Sequence, residues 1–119
     1  MFSEVIRRQS GGICTFCKRS FDWKYKMEAS HFKSRRNKSV RWDFRNVDAV
    51  CRPCHWHLSD NPDVYVAFKK HQLGEENYDE LILDANSIKK WTKKELLQLR
   101  TDLLEDLKRL KWDLGKGNL

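Results

Sequence analysis

The stretch Cys51-Arg-Pro-Cys-His55 decides the fold, because its C-x2-C spacing repeats that of Cys14-Thr-Phe-Cys17. Two such pairs, with 33 residues between them, predict a tetrahedral structural zinc site bound by Cys14, Cys17, Cys51 and Cys54. A bound metal would compensate for the small core that so short a chain can form. Two disulfides are the alternative, and a redox-active pair would leave the other pair without a role.

The interval between the two cysteine pairs has the size of a β-hairpin. Residues 26–33 and 40–50 contain short runs typical of strands, and the polar, basic segment 34–39 is the predicted turn. Gly11-Gly12, ahead of the first pair, suits a tight turn into a zinc knuckle.

A helix is predicted directly after the second pair. Pro53 fits an early helical position, which places Cys54 in the first turn, followed by His55. The order of knuckle, hairpin and helix predicts an α+β fold with a small zinc-bound treble-clef core of the ββα-metal type in residues 1–60. Residues 61–119 are then a helical extension of the same compact domain.

The extension contains three helix-start patterns, at Asn61-Pro62, Asn77-Tyr-Asp-Glu80 and Thr92-Lys-Lys-Glu95, and Gly74 is expected to end the first helix. The last helix carries leucines at spacings of three and four: Leu96, Leu99, Leu103, Leu107, Leu110 and Leu114. This stripe packs either on the zinc domain or on a second copy of the chain, in a homodimer formed through the 93–114 helix.

The charge of the chain is concentrated in its first half. The 119 residues carry a net charge of +7, with 13 Lys and Arg against 5 Asp and Glu in residues 1–57 and 11 against 12 in residues 58–119. The densest cluster consists of Lys33, Arg35, Arg36, Lys38, Arg41 and Arg45. Such a cluster favours a polyanion such as nucleic acid as partner, and a solvated basic loop is the plainer interpretation.

The sequence disfavours a membrane or secreted protein. It lacks the roughly 20 consecutive apolar residues that a bilayer span requires, and its first residues lack the apolar run of a signal peptide. We therefore expect no membrane partner and a location in the cytoplasm.

Three polar residues mark the same framework: His31 in the first predicted strand, Asn46 five residues before Cys51, and His55 directly after Cys54. This arrangement resembles the HNH nuclease family. The stretches 30–35 and 40–46 are most similar to phage recombination nucleases of the NinG/Rap type, and the likeness covers roughly residues 12–82. The design is also similar to that of phage endonuclease VII, a four-way-junction resolvase.

The resemblance implies a metal-dependent DNA endonuclease that hydrolyses phosphodiester bonds, with branched or recombining DNA as substrate. His31 would act as general base, because its side chain titrates near neutrality. His55 would hold a catalytic Mg²⁺ or Mn²⁺, and Asn46 would fix the hairpin or orient the imidazole of His31. Arg35 and Arg36 are expected to contact phosphate.

The sequence departs from the HNH pattern at Ser30, where many of these enzymes carry Asp as a second metal ligand. Glu28 is the substitute that the NinG type suggests, but in a regular strand it shares a face with Ser30, opposite His31, so a ligand role requires a twist or bulge. Further candidate ligands are Asp43, Asp48 and His57.

The same departure leaves other functions open. A zinc-dependent DNA-binding module without cleavage, a nuclease acting on linear duplex DNA, and RNA as substrate all remain alternatives. Large aromatic residues are expected to pack around the zinc rather than to stack on bases: Trp23, Phe32, Trp42, Phe44 and Trp56.

Overall fold

The computed structural model describes the backbone of residues 1–117 and the side chains of residues 1–110. Within them the chain forms a two-stranded sheet and five helices, which confirms the α+β fold class. The elements in chain order are α1 (Phe2–Gln9), β1 (Met27–His31), β2 (Val47–Cys51), α2 (Arg52–Asp60), α3 (Pro62–Leu73), α4 (Glu75–Asn86) and α5 (Lys93–Gly117).

The two strands form an antiparallel hairpin that is shorter than predicted. The pairing runs from Met27 opposite Cys51 to His31 opposite Val47, with no residue left over on either strand. The second strand lies at the end of the predicted interval 40–50 and continues to Cys51, whereas residues 40–46 fold into consecutive tight turns. Residues 32–46 therefore form a long loop, here called the 32–46 loop, between the strands.

The knuckle before β1 depends on Gly12. Its φ is +84°, and a Cβ there would clash with the carbonyl oxygen of Phe21. The amide of Phe21 donates a hydrogen bond of 2.6 Å to the carbonyl of Gly12, which closes the knuckle around the first cysteine pair. Only glycine combines this backbone conformation with so close an approach.

The helix starts agree with the sequence at three of four places. Cys51 caps α2 and Pro53 lies in its first turn, Asn61 precedes α3, and Thr92 exchanges capping hydrogen bonds of 3.1 and 3.2 Å with Glu95 at the start of α5. The predicted start at Asn77 is wrong. Helix α4 begins at Glu75 directly after Gly74, so Asn77 lies inside its first turn.

Helix α1 was not predicted. Its buried residues Phe2, Val5 and Ile6 follow helical spacing and face the hairpin and α5. Leu103 and Leu107 of α5 are buried in the same core, and Leu99 and Leu110 pack at its edge. The middle of the leucine stripe thus packs on its own chain, whereas Leu96 is 39% exposed and Leu114 lies outside the described side chains.

No helix in the described part of the chain is both long enough and apolar enough to cross a bilayer.

Candidate active site and metal centre

The two C-x2-C pairs meet at the junction of the knuckle, the end of β2 and the start of α2. The Sγ atoms of Cys14, Cys17, Cys51 and Cys54 all lie within 4.8 Å of one another, and those of Cys17 and Cys51 are 3.9 Å apart. None of the four is in a disulfide, so that alternative is not realised in the structure. Because thiolates at 2.3 Å from a tetrahedral ion are separated by about 3.8 Å, this cluster could hold one structural metal such as zinc.

Backbone amides prepare one of these thiols for ionisation. Burial alone would raise the pKa of Cys14, but hydrogen bonds from the amides of Cys17 and Cys51, at 3.5 and 3.4 Å from Sγ, help to lower it to about 7. At Cys54, burial raises the pKa. A cation bound among the four sulfurs would favour their thiolate forms together.

Glu28 and His55 are joined across the hairpin–helix junction. Glu28 Oε1 lies 2.9 Å from His55 Nδ1, and its other oxygen lies 3.5 Å from Arg52 Nε. The strand needs no bulge for this contact, since Glu28 reaches α2 from a regular β1. These two side chains, each about one-third exposed, are the potential metal ligands that the structure brings together beside the cysteine cluster.

Ser30 is not part of this pair. It is buried, and its hydroxyl lies 2.7 Å from that of Tyr65 on α3. Burial raises the pKa of Tyr65, which keeps the phenol neutral and able to hydrogen-bond. Ser30 therefore belongs to the packing between β1 and α3.

His31 lies at the end of β1, between two open cavities. One, of about 430 Å³, is lined in part by Arg35, Arg41 and Trp42, and the other, of about 340 Å³, by residues of α2 and α3. His31 Nε2 donates a hydrogen bond of 3.2 Å to the carbonyl of Arg41, which leaves Nδ1 as the basic nitrogen. Burial, followed by the charge of Arg35, lowers the pKa of His31 and favours the neutral imidazole.

Asn46 closes the 32–46 loop. Its fully buried amide accepts a hydrogen bond of 2.7 Å from the backbone N–H of Lys33 and donates to the carbonyls of Lys33 and Val40, at 2.9 and 3.2 Å. Of the two roles expected for Asn46, the hydrogen bonds fit the first, in which its side chain fixes the loop. The imidazole of His31 is held instead by the carbonyl of Arg41.

The six cations of the 32–46 loop fall into two groups. Arg45 forms ion pairs of 2.6 and 2.7 Å with Asp43 and Asp84, and Arg41 is tied to the carbonyl of Arg35. The charged groups that remain most open to solvent are those of Arg35, Arg36 and Lys38, while Lys33 is half-buried beside Phe32. Arg45 thus anchors the loop. The cations that remain available for the expected phosphate contacts lie in residues 33–41.

The further ligand candidates lie elsewhere. Asp43 pairs with Arg45, and His57 is hydrogen-bonded to Asn61. Asp48 is buried in an ion pair of 3.0 Å with Lys69, an arrangement that sequence reasoning missed because the two residues are 21 positions apart. Burial lowers the pKa of Lys69, and the carboxylate of Asp48 opposes that shift.

Among the five aromatic residues expected in the core, Trp23, Phe32 and Trp42 do pack against it. The expectation is wrong for Phe44 and Trp56, which are 46% and 65% exposed. Trp56 points outward because the buried face of α2 is the one that carries Leu58.

The fold and site define a small α+β protein with a hairpin, a helix and a four-cysteine cluster suited to a structural metal. The family model described as Bacteriophage Lambda NinG protein matches residues 1–113. Because this match spans most of the chain, the protein belongs to the NinG family. No curated protein and no solved structure matches the chain significantly.

Proposed function

We propose that the protein is a metal-dependent HNH-type endonuclease that hydrolyses phosphodiester bonds in DNA. The observation that carries the proposal is the contact of 2.9 Å between Glu28 and His55, in a fold that also places His31 beside open cavities. The cationic residues of the 32–46 loop border this site, as phosphate binding requires.

His31 is the proposed general base. Its neutral form is favoured by burial and by Arg35, and its Nδ1 is free to take the proton of an attacking water. Arg35 lines the same cavity and would contact the phosphate. Asn46 would act as a positioning residue, because it fixes the loop whose Arg41 carbonyl orients the imidazole.

Glu28 and His55 are the proposed ligands of Mg²⁺ or Mn²⁺. Their donor atoms are 2.9 Å apart, and neighbouring ligands of an octahedral ion with bonds near 2.1 Å are separated by about 3 Å. Such an ion, when bound, acts as a Lewis acid on the phosphate and stabilises the leaving oxygen. The four-cysteine cluster would hold Zn²⁺ in a purely structural role, since four thiolates leave it no open position.

The proposed substrate is branched DNA, as in recombination, and this rests on the resemblance to the NinG/Rap nucleases and endonuclease VII. Action in the cytoplasm of a phage-infected cell and a homodimer through the 93–114 helix belong to the same proposal. In the described structure Leu103 and Leu107 are already buried, so a dimer would have to use the remaining surface of α5.

The test is cleavage of a four-way junction, a flap and a linear duplex by the zinc-loaded protein with Mg²⁺ or Mn²⁺. We expect His31→Ala to lose about 10²–10⁴-fold in cleavage rate while retaining its fold and DNA binding. The control is His71→Ala, which removes an exposed imidazole from α3. Full activity of His31→Ala would overturn the mechanism, and equal rates on the three substrates would remove the preference for branched DNA.

A zinc-dependent DNA-binding module without cleavage is the second candidate. It is favoured by the burial of Ser30 against Tyr65 and by the contact of Arg52 with Glu28, which places a cation where a metal is proposed. Salt-dependent DNA binding without cleavage under either metal would identify this alternative.

A further inference from the structure

A second group of cations lies at the opposite end of β1 from the 32–46 loop. Lys24 and Lys26 are exposed just before the strand. The outermost strand pair is Met27 with Cys51, so Lys26 and Arg52 are the next residues at that end of the hairpin. The side chain of Arg52 is 57% exposed, and its contact of 3.5 Å with Glu28 is long.

The segment that carries these lysines is held in place by its backbone. The carbonyl of Lys24 accepts a hydrogen bond of 3.1 Å from Arg7, and the amide of Lys24 donates one of 2.9 Å to Asp22. Trp23 packs under the guanidinium of Arg8, whose carbon lies 4.2 Å from the ring centroid. The lysine charges are therefore presented from an ordered turn rather than from a free chain end.

Two aromatic side chains at this end of the hairpin are open to solvent. Tyr25 lies between the two lysines and is 66% exposed, and Trp56 lies one turn after Arg52 on α2 and is 65% exposed. Rings this large and this exposed offer faces on which a partner could stack. Cations interleaved with exposed rings are typical of surfaces that bind phosphates and stack on bases.

The spacing suits a strand that crosses the proposed catalytic site. The five residues of β1 lie between Lys26 and the first residue of the 32–46 loop, so these two positions are six steps apart, about 20 Å at 3.3–3.4 Å per residue. Within a duplex one DNA strand advances about 3.4 Å per nucleotide along the helix axis, so the interval corresponds to about six nucleotides. Glu28 and His55 lie within this interval, near the Lys26 end, and His31 lies at the other end.

We propose that Lys24, Tyr25, Lys26, Arg52 and Trp56 form a second nucleic-acid contact, here called the strand-start surface, which holds the strand on the far side of the scissile phosphate from the 32–46 loop. The lysines and Arg52 would bind phosphates, and the exposed rings would stack on unpaired bases. This inference rests on DNA as the partner in the proposed function.

The test is the binding of a labelled four-way junction and a short linear duplex, measured by fluorescence anisotropy without Mg²⁺ or Mn²⁺ over a range of salt concentrations. The double variant Lys24→Gln/Lys26→Gln should bind about tenfold more weakly, and the slope of log K against log salt should fall by about 1.8. The matched control Lys93→Gln/Lys94→Gln removes the same charge from the start of α5 and should change neither quantity appreciably. Equal losses from both variants, or none from either, would overturn the surface.

The aromatic contribution is tested with Trp56→Ala, and Leu83→Ala is the control because Leu83 is equally open to solvent on α4. We expect Trp56→Ala to weaken binding of the junction and of single-stranded DNA by about tenfold, with little effect on the closed duplex. Equal effects of the two variants would overturn the stacking role.

Cleavage assays on the same preparations separate the two proposals. A protein that binds through the strand-start surface but cuts no substrate would overturn the nuclease and leave the surface standing. A protein that cuts DNA while Lys24→Gln/Lys26→Gln binds normally would overturn the surface alone. Absence of any DNA binding would overturn both.

Discussion

The four-cysteine cluster and the 32–46 loop lie at opposite ends of the same hairpin and are stabilised in different ways. In the cluster, the first pair is a local turn, in which the amide of Cys17 donates to Cys14 Sγ, and it meets the second pair through the amide of Cys51, which donates to the same sulfur across 37 residues. In the loop, Arg45 pairs with Asp84 and the indole of Trp91 donates to the carbonyl of Lys38, contacts that span 39 and 53 residues. The cluster could be stabilised by one bound metal, whereas the loop is stabilised by contacts with the C-terminal helices.

This difference gives the C-terminal half a role in the site. Ser39 donates a hydrogen bond of 2.6 Å to the carbonyl of Asp84, and Trp42 packs edge-on against Trp91 at 5.1 Å. These contacts hold the loop that carries Arg41, and the carbonyl of Arg41 in turn positions His31. Residues of the nearly neutral C-terminal half thus hold the basic 32–46 loop in position.

The largest effect is expected from the cysteine cluster. Replacement of buried Cys51 by Ser should abolish metal binding and reduce the free energy of unfolding by more than about 4 kcal/mol, because metal-binding energy in so small a core is folding energy. Thermal melts by circular dichroism and zinc content per chain are the measurements. Ser20→Ala in the same knuckle should leave both unchanged, and a wild-type melting temperature in metal-free Cys51→Ser would contradict a structural metal.

An intermediate effect is expected from the buried amide of Asn46 that closes the 32–46 loop. Asn46→Ala would leave the N–H of Lys33 and the carbonyls of Lys33 and Val40 without their partner, at a cost of about 2–4 kcal/mol in urea-induced unfolding. Zinc content should stay at the wild-type value, since the loop is separate from the cluster. Asn37→Ala, which removes one exposed hydrogen bond, is the control, and loss of zinc from Asn46→Ala would show that the two regions are not independent.

The smallest effect is expected from the exposed ion pair between Arg45 and Asp84 that ties the 32–46 loop to α4. Asp84→Asn weakens an ion pair with Arg45 in which the Asp84 side chain is 56% exposed, so the loss in unfolding free energy should be at most about 1 kcal/mol and should shrink at high salt. Asp102→Asn on α5 serves as the control. A loss as large as that of Asn46→Ala would mean that the C-terminal helices determine loop stability more strongly than the buried amide does.

The sequence was most informative where spacing along the chain is itself the geometry. The C-x2-C pairs, Pro53 and the Thr92–Glu95 capping box act within one turn of backbone, and the structure has all of them where expected. The strand expected within 40–50 begins only at Val47, because Asn46 bonds back to Lys33 and Val40 and closes a loop that a strand pattern does not reveal. Helix α1 was overlooked because it is a short apolar pattern without a capping residue.

By itself the sequence determined the cysteine framework, the fold class, the likeness to the NinG family that the family match confirms, and the concentration of charge in residues 1–57. Only the tertiary structure decided which groups meet. Glu28, and not Ser30, contacts His55, and Arg45 pairs with Asp84 instead of facing solvent. Trp56 lies on the surface and not in the core. The physical reason is that local spacing sets backbone geometry and ligand position, whereas ion pairs and burial depend on which helix packs against which strand.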